Sequence, residues 1–239
     1  MPNTYDVAGK SALVTGAAKG IGRAIAELLL ANGCTVSIWD TNPADVPGAM
    51  SVLVDITDPA QIAAGLAELS RGRLDVLVND AGYLGQATDF SAHTPKDWRR
   101  IIEVNLLGTM QVTQAVLPIM MRQGGGRIIN LGSLAGKEGL AGIAAYSAAS
   151  AGVISFTKAL SREVAQHKVF VNCVAPGPID TDMIRDLGPD VVRQMVSDSP
   201  LGRLGNVSEV ANLVAWLCSE ASRFNTGAIF DMSGGRARY

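Results

Sequence analysis

Residues 15–22 read Thr-Gly-Ala-Ala-Lys-Gly-Ile-Gly, and this glycine-rich turn decides the fold. It follows the β-branched run Ser11–Thr15 and precedes Ile21–Asn32, in which apolar residues recur at helical spacing. Glycines in such a turn let the backbone approach a phosphate closely, and the amino terminus of the following helix offers free N–H groups. A glycine-rich turn alone is weak evidence, but its place between a strand and a helix favours pyrophosphate binding.

Short apolar runs alternate with helical patterns along the rest of the chain. The predicted strands are Ser11–Thr15, Thr35–Trp39, Ser51–Val54, Leu74–Val78, Arg127–Leu131, Val169–Val174 and Ala228–Asp231. The predicted helices are Ile21–Asn32, Pro59–Ser70, Pro95–Arg122, Tyr146–Gln166 and Ser208–Ser219. Repetition of strand and helix implies right-handed parallel crossovers, and strands that are apolar throughout indicate helices on both faces. We therefore expect an α/β fold with one doubly wound parallel sheet of about seven strands, as a single domain over residues 1–239.

One segment, 179–203, departs from this alternation of strands and helices. It is polar and contains Pro189 and Pro200. In a doubly wound fold such an insertion often forms a mobile lid over the substrate, and we expect one here.

Composition excludes several classes of partner. The 239 residues carry 20 Lys+Arg and 22 Asp+Glu, a net charge of -2, so no basic field attracts nucleic acid or anionic lipid. The apolar runs 24–31 and 143–154 end before the roughly 18 residues that a membrane span needs, and residues 1–10 lack a secretory signal. We expect a cytoplasmic protein. Cys34, Cys173 and Cys218 lack metal-ligand spacing, which predicts buried reduced thiols and no metal site.

Two acidic residues follow the second and third predicted strands. Asp40 comes eighteen residues after Gly22, where a carboxylate can accept both hydroxyls of an adenosine ribose; capping of the turn before Pro43 is the alternative. Asp40 would repel a 2′-phosphate, whereas Lys19 could pair with one. Repulsion between the Asp40 carboxylate and a phosphate in contact with it costs more than one distant ion pair with Lys19 gains, which favours NAD over NADP. Asp55 can either bind the adenine amino group or cap its own turn.

The spacing Thr-Gly-x-x-x-Gly-x-Gly resembles the glycine motif of the short-chain dehydrogenase/reductase family. Residues 79–82, Asn-Asp-Ala-Gly, are similar to the Asn-Asn-Ala-Gly motif of that family. Asn105, Ser133, Tyr146 thirteen residues later, and Pro-Gly at 176–177 complete the series in order. The resemblance covers essentially the whole chain. It implies a Rossmann-like domain that transfers a hydride between NAD(H) and a secondary alcohol or ketone, a small-molecule substrate.

The resemblance also implies roles for individual residues. Tyr146 would protonate the carbonyl oxygen, or deprotonate the alcohol, if its pKa is brought down from about 10. Ser133 would bind the same oxygen, and Asn105 would hold a water in a proton relay. Ile179 and Thr181 would meet the nicotinamide carboxamide. The full set of implied cofactor-binding residues is Gly16, Lys19, Gly20, Ile21, Gly22, Asp40, Asp55, Ile56, Asn79, Ala81, Gly82, Tyr146, Pro176, Gly177, Ile179 and Thr181.

Two residues depart from the family pattern. The catalytic lysine of the family follows its tyrosine by four residues, on the same helical face, but Ser150 stands at that position here. Loss of a cation within about 4 to 6 Å of the tyrosine can leave the tyrosine pKa higher by one or more units, and each unit corresponds to about 1.4 kcal/mol. Asp80 replaces an asparagine and thus offers acceptors only when ionised.

No other lysine is expected to take over. Lys158 lies twelve residues along the same predicted helix, about 18 Å from Tyr146. Lys137 could swing toward the site from the loop after Ser133, but we interpret it as a solvated loop residue.

Three hypotheses follow. The first is an NAD-dependent oxidoreductase whose activity is impaired by Ser150, and the second is a catalytically silent dinucleotide-binding protein with a structural or regulatory role. A different proton-transfer chemistry in the same pocket, such as dehydration or epimerisation, comes last. By resemblance we expect a homotetramer, or else a homodimer, with the long predicted helices Pro95–Arg122 and Tyr146–Gln166 packed across a two-fold axis.

Overall fold

A computed structural model describes residues 4–69 and 72–238 of the chain. Seven parallel strands form one sheet in the order β3-β2-β1-β4-β5-β6-β7. The strands are β1 (Ser11–Thr15), β2 (Thr35–Asp40), β3 (Met50–Leu53), β4 (Val76–Asn79), β5 (Gly126–Leu131), β6 (Val169–Pro176) and β7 (Ile229–Met232). The seven predicted strands are confirmed, with shifts of one or two residues at their ends. The order reverses between β1 and β4, and ligands of such sheets bind at that reversal, outside the carboxyl ends of the strands.

Helices cover both faces of this sheet. Those in the described ranges are α1 (Gly20–Ala31), α2 (Pro59–Glu68), α3 (Pro95–Ile102), α4 (Thr109–Arg122), α5 (Leu134–Glu138), α6 (Ala144–Val164), α7 (Asp182–Arg185), α8 (Pro189–Ser197) and α9 (Val207–Cys218). Successive residues Leu13 and Val14 of β1 point to opposite faces, and both are 0% exposed. The expectation of a sheet buried on both sides is therefore confirmed.

The structure corrects the helix predictions in three respects. The predicted helix Pro95–Arg122 is interrupted by a π-helical segment, Glu103–Gly108, between α3 and α4. The short helix α5 was predicted as loop, and the segment 179–203 contains α7 and α8. Ser70, the predicted end of the second helix, lies outside the described residues, as do residues 1–3 of the amino terminus.

The continuous helical stretch Pro95–Arg122 is long and apolar enough, by length and composition alone, to cross a membrane. The expectation that nothing spans a bilayer rested on the shorter apolar runs 24–31 and 143–154. In the fold, α4 lies against β4 and β5, where Val112 and Met120 are completely buried, and Ile101 of α3 is buried as well. This packing accounts for part of the apolar character of the stretch, since 33% of its most apolar window is buried.

The three cysteines, Cys34, Cys173 and Cys218, are all free and buried. The prediction of buried reduced thiols is thus confirmed. Burial raises the pKa of the Cys34 thiol to about 11, so this thiol stays protonated at neutral pH.

Candidate active site

The glycine-rich turn joins β1 to α1 at the reversal of strand order. Lys19 precedes the first residue of α1, and its side chain makes no capping hydrogen bond to the helix. Gly16 has φ +71, and a Cβ there would lie 2.5 Å from Ala81 Cα. A Cβ at Gly22 would lie 2.7 Å from the Gly16 carbonyl oxygen. Only glycine fits at these two positions, and the turn forms a cradle at a helix amino terminus, as a pyrophosphate requires.

Asp40 lies at the end of β2 with its carboxylate at this turn. Oδ2 accepts a hydrogen bond of 3.0 Å from the Ala18 N–H, and Oδ1 accepts one of 2.9 Å from the Asn42 N–H. The structure therefore brings Asp40 to the cradle, and the same carboxylate also caps the turn that follows β2. The two roles considered for Asp40 in the sequence are compatible with each other.

Asp55 lies in the turn after β3, and its carboxylate is held by other residues of the chain. Oδ1 accepts hydrogen bonds from the N–H and the hydroxyl of Thr57 at 2.9 and 2.7 Å, and Oδ2 is 3.3 Å from Arg100. Burial raises the pKa of Asp55, but the bonds from Thr57 and Arg100 outweigh it and lower the pKa overall. Ile56 turns inward, where a Cβ at Gly108 would lie 2.6 Å from its Cδ1.

The loop after β4 packs against the turn. The Thr15 hydroxyl oxygen accepts hydrogen bonds from the N–H groups of Asp80 and Ala81 at 3.1 and 3.2 Å. Asn79 points into the core, where its amide donates to Thr113 and to Asn130 at 3.0 and 2.9 Å. The Asn79 side chain thus ties β4 to β5 below the carboxyl edge.

Asn105 lies in the π-helical segment and holds the same loop from the other side. Its amide nitrogen donates to the carbonyls of Tyr83 and Ile101 at 2.7 and 2.8 Å, and its oxygen accepts from the Tyr83 N–H at 3.0 Å. A Cβ at Gly82 would lie 3.1 Å from that oxygen. Asn105 therefore positions residues 82 and 83, and π-helical segments of this kind are frequent at functional sites.

Three hydroxyl groups meet beside the loop after β5. Ser133 precedes α5, where its Oγ accepts a hydrogen bond of 3.1 Å from the Ala135 N–H. Tyr146 lies in the first turn of α6, and the Ser133 and Ser150 side chains lie close enough to its hydroxyl to lower its pKa. Burial raises the pKa of Tyr146, the two serines oppose that rise, and the nearby Asp80 carboxylate adds to it. Ser150 itself is 4% exposed.

The loop after β6 returns to the glycine turn. Gly177 packs on the backbone of Ser233, which a Cβ would approach to 2.9 Å, so the path after Pro176 requires glycine. Ile179 is buried, and Thr181 Cγ2 lies 3.7 Å from the position of a Cβ at Gly20. The structure therefore places Thr181 near the turn, and the contact of residues 179 and 181 with a nicotinamide stays a prediction.

The segment 179–203 is tied to the rest of the fold near both ends. The Asp180 N–H donates a hydrogen bond of 2.8 Å to the Gly205 carbonyl, and Arg203 pairs with Glu209 of α9 at 2.7 Å. Between these contacts, Met183 and Val191 are 42% and 43% exposed.

Known proteins share this fold and sequence. The sequence model of the Enoyl-(Acyl carrier protein) reductase family matches residues 16–237. The chain is 42% identical over 237 residues to the 3-oxoacyl-(acyl-carrier-protein) reductase of Escherichia coli, covering 95% of this chain and 97% of that protein. It is 37% identical over 241 residues to a 2-dehydro-3-deoxy-L-rhamnonate dehydrogenase (NAD(+)) of Sphingomonas sp., covering 97% of each. The ligand-free structure of the aldohexose dehydrogenase of Thermoplasma acidophilum matches with a TM-score of 0.93 and 29% identity, covering 99% of this chain and 97% of that one.

The chain belongs to the short-chain dehydrogenase/reductase family. It is an oxidoreductase that acts on alcohol or ketone substrates with a nicotinamide cofactor. The Rossmann-like single domain that the resemblance implied is confirmed by the strand order and by the solved relative.

Ser150 stands where the resemblance to the family implies a lysine. Helix α5 packs directly on α6 there, and a Cβ at Gly136 would lie 2.5 Å from the Ser150 carbonyl carbon. Lys137 is in α5, with its ammonium 2.7 Å from Asp231 of β7 and its side chain 13% exposed. The interpretation of Lys137 as a solvated loop residue is wrong, because this ion pair holds it against the sheet. Lys158 lies in α6, and its side chain is exposed.

One feature of the site was missed by sequence reasoning. The carboxyl group of Asp80 lies against the first turn of α1, and its Oδ2 is 2.7 Å from the position of a Cβ at Gly22. The sequence signals that Asp80 is unusual for the family, but not that its side chain enters the cradle. That contact depends on the packing of the β4 loop against the turn, across 58 residues of chain.

Proposed function

We propose that the chain is an NAD-dependent dehydrogenase or reductase for a small secondary alcohol or ketone, with activity lowered by Ser150. The observation that carries this proposal is the placement of the Ser133 side chain beside the Tyr146 hydroxyl, next to the glycine cradle. The pair offers one oxygen of a substrate both a proton donor and a second hydroxyl. The names of the relatives favour a sugar acid or a 3-oxoacyl thioester as the substrate class.

The residues of the cradle fit a nicotinamide dinucleotide. Gly16 and Gly22 tolerate no side chain, because the loop after β4 and the turn itself pack against them, and the resulting tight turn would present the free N–H groups at the start of α1 to a pyrophosphate. Asp40 would accept the adenosine ribose hydroxyls and exclude a 2′-phosphate, which favours NAD over NADP. Thr181 and Ile179 would contact the nicotinamide end. The chemistry that this cofactor supplies is the transfer of a hydride.

The proton chemistry belongs to Tyr146. In reduction its hydroxyl gives a proton to the carbonyl oxygen, and Ser133 donates a hydrogen bond to the same oxygen as negative charge develops. In oxidation the phenolate must form first. Because burial raises the pKa of Tyr146 above its usual value, the group is protonated at neutral pH and better prepared as an acid than as a base.

Ser150 offsets the raised pKa of Tyr146 only weakly. Its hydroxyl can stabilise the phenolate through one hydrogen bond, but it carries no charge. A lysine at the same position would add a cation on the tyrosine face of α6. We therefore attribute to Ser150 a slower rate and a weaker hold on the nicotinamide ribose.

The test is Ser150→Lys, assayed with NADH and NADPH against ketones, sugar acids and 3-oxoacyl thioesters. We expect kcat/KM to rise by about tenfold or more, since one pKa unit is worth about 1.4 kcal/mol, and NADH to be preferred. Ser150→Met is the matched control, because it adds comparable length without charge. An unchanged rate in Ser150→Lys, despite cofactor binding, would contradict the proposed defect, and equal gains in both variants would assign the effect to volume.

A silent dinucleotide-binding protein with a structural or regulatory role is the second candidate. The observation that favours it is Ser150 itself, which occupies the catalytic lysine position beside an intact cradle. Turnover of any alcohol or ketone by the unaltered chain excludes this role as the sole function.

Three further properties are part of the proposal. The segment 179–203 acts as a substrate lid, the protein is cytoplasmic, and it assembles as a homotetramer or else a homodimer. Leu107 and Met110 support the assembly, because they are 43% and 39% exposed on the stretch Pro95–Arg122 that we expect at a two-fold axis. The solution mass from light scattering tests it, and a monomer would contradict it.

A further inference from the structure

The carboxyl group of Asp80 lies at the glycine turn that we propose to hold the pyrophosphate of a dinucleotide. Its Oδ2 lies 2.7 Å from the position of a Cβ at Gly22. Gly22 belongs to the first turn of α1, whose N–H groups and dipole attract anions. An ionised Asp80 therefore lies in the same field that the turn offers to a pyrophosphate.

The position of this carboxylate is fixed by its backbone. The Asp80 N–H and the next N–H, that of Ala81, both donate to the Thr15 hydroxyl at 3.1 and 3.2 Å. The Thr15 side chain is itself 1% exposed at the end of β1. Asp80 thus enters the cradle from a loop held at two points, and the carboxylate is not a freely rotating surface group.

The groups that face this carboxyl provide little compensation for a negative charge. The Gly22 N–H from α1 stabilises the anion, while Asp40 from β2 is a second carboxylate that acts on it. Tyr146 from α6 is the third titratable group in electrostatic contact. Lys19, the basic residue of the turn 15–22, is exposed to solvent. Burial is the largest influence, followed by these neighbours, and the pKa of Asp80 is raised well above its ordinary value.

A pyrophosphate entering this cradle brings negative charge against the same carboxyl. If Asp80 stays ionised, two anions compete for the Gly22 N–H. If it is protonated, the repulsion is removed and the neutral carboxyl has one O–H to donate to a phosphate oxygen. Binding is therefore stronger for the protonated form.

We propose that Asp80 takes up one proton from solvent when a pyrophosphate-bearing dinucleotide binds, so that the affinity of the cradle rises as pH falls. This inference rests on the proposed dinucleotide-binding function. It makes Asp80 a residue that sets the pH range in which the cofactor binds, and it requires no catalytic turnover.

Calorimetric titration of the full chain tests this inference. NAD⁺ and ADP-ribose serve as probes, between about pH 5.5 and 9, in pairs of buffers that differ in ionisation enthalpy. We expect Kd to increase by up to about tenfold per pH unit on the alkaline side, with up to one proton taken up per ligand. ADP-ribose should show the same linkage as NAD⁺, because it retains the pyrophosphate and lacks the nicotinamide charge.

The variant Asp80→Asn should bind both probes with little dependence on pH and more tightly than the wild type at alkaline pH. Glu27→Gln is the matched control. It removes an exposed carboxylate of α1, the helix that begins at the glycine turn, but at a position away from that turn, so it should keep the wild-type pH profile. Parallel pH profiles of the wild type and Asp80→Asn would overturn the inference, as would linkage with NAD⁺ but not with ADP-ribose. If neither protein binds NAD⁺ at any pH while both remain folded by circular dichroism, the proposed function fails instead.

Discussion

Asp80 and Ser150 act on the pKa of Tyr146 in opposite directions. The resemblance implies an amide and a cation at these two positions, whereas this chain has a carboxylate and a hydroxyl. Beyond the effect of burial, the Asp80 carboxylate raises the pKa of Tyr146, and the Ser150 hydroxyl lowers it. Compared with an amide and a cation, both residues make the phenolate less favourable, so replacing one of them recovers only part of the difference.

Asp80 also has a consequence for stability. Its pKa in the folded chain is above the ordinary value, so the ionised carboxyl destabilises the fold at pH values above the folded pKa. Below the unfolded pKa of about 3.9 the carboxyl is protonated in both states and the penalty disappears. Asp80→Asn should raise the free energy of unfolding at pH 8, with a gain that shrinks as the pH falls toward 4. Urea unfolding at several pH values measures this; a gain independent of pH would point to packing and not to charge.

At the scale of elements, α5 decides how closely the loop after β5 approaches α6. Gly136 is the contact residue, because a Cβ there would meet the Ser150 carbonyl carbon at 2.5 Å and the Ala151 nitrogen at 2.6 Å. Backbone atoms cannot move aside without shifting α6, which carries Tyr146. The placement of Ser133 beside Tyr146 therefore depends on Gly136, although Gly136 itself packs on the backbone of α6 and not on either hydroxyl.

Gly136→Ala tests this dependence. We expect it to destabilise the chain by about 1–3 kcal/mol and to lower activity, since overpacking forces a backbone shift at the site. Gly152→Ala is the comparison, because the nearest atom to its Cβ is Leu106 Cδ2 at 2.8 Å, the end of a flexible side chain. Thermal unfolding and a turnover assay of both variants decide the matter; equal losses would contradict the role assigned to Gly136.

The elements show which features sequence patterns can predict. The seven strands and the glycine turn carry strong local signals, and all of them were located from the sequence. Helix α5 has only five residues and is held by the Ser133 cap and by packing on α6, so no periodic pattern indicates it. The π-helical segment Glu103–Gly108 keeps the apolar spacing of the two α-helices beside it, so the sequence pattern does not distinguish it from them. The ion pair Lys137–Asp231 joins residues 94 positions apart, which no local pattern encodes.

At the scale of the whole molecule, the site is assembled from both halves of the chain. The cradle and Asp40 come from the first three elements, whereas Tyr146 and Thr181 come after β5 and β6. Residues Asn79 and Asn130 lie side by side in β4 and β5 and join these halves through a hydrogen bond of 2.9 Å. No contiguous part of the sequence shorter than about two thirds of the chain contains every group of the site.

Thr181 Cγ2 lies 3.7 Å from the position of a Cβ at Gly20, 161 positions away in sequence, and this proximity exists only when β6 has joined the sheet. Contacts of such long range form late in folding, because the chain loses much entropy before they are made. A bound dinucleotide that needs both residues should slow unfolding while leaving the refolding rate nearly unchanged. Stopped-flow unfolding and refolding with and without NAD⁺ measure both rates, and faster refolding with NAD⁺ would mean that the cradle binds before the sheet is complete. If only unfolding is slowed, the bound nicotinamide dinucleotide prolongs the lifetime of the native state of this protein, independently of how fast the protein catalyses a reaction.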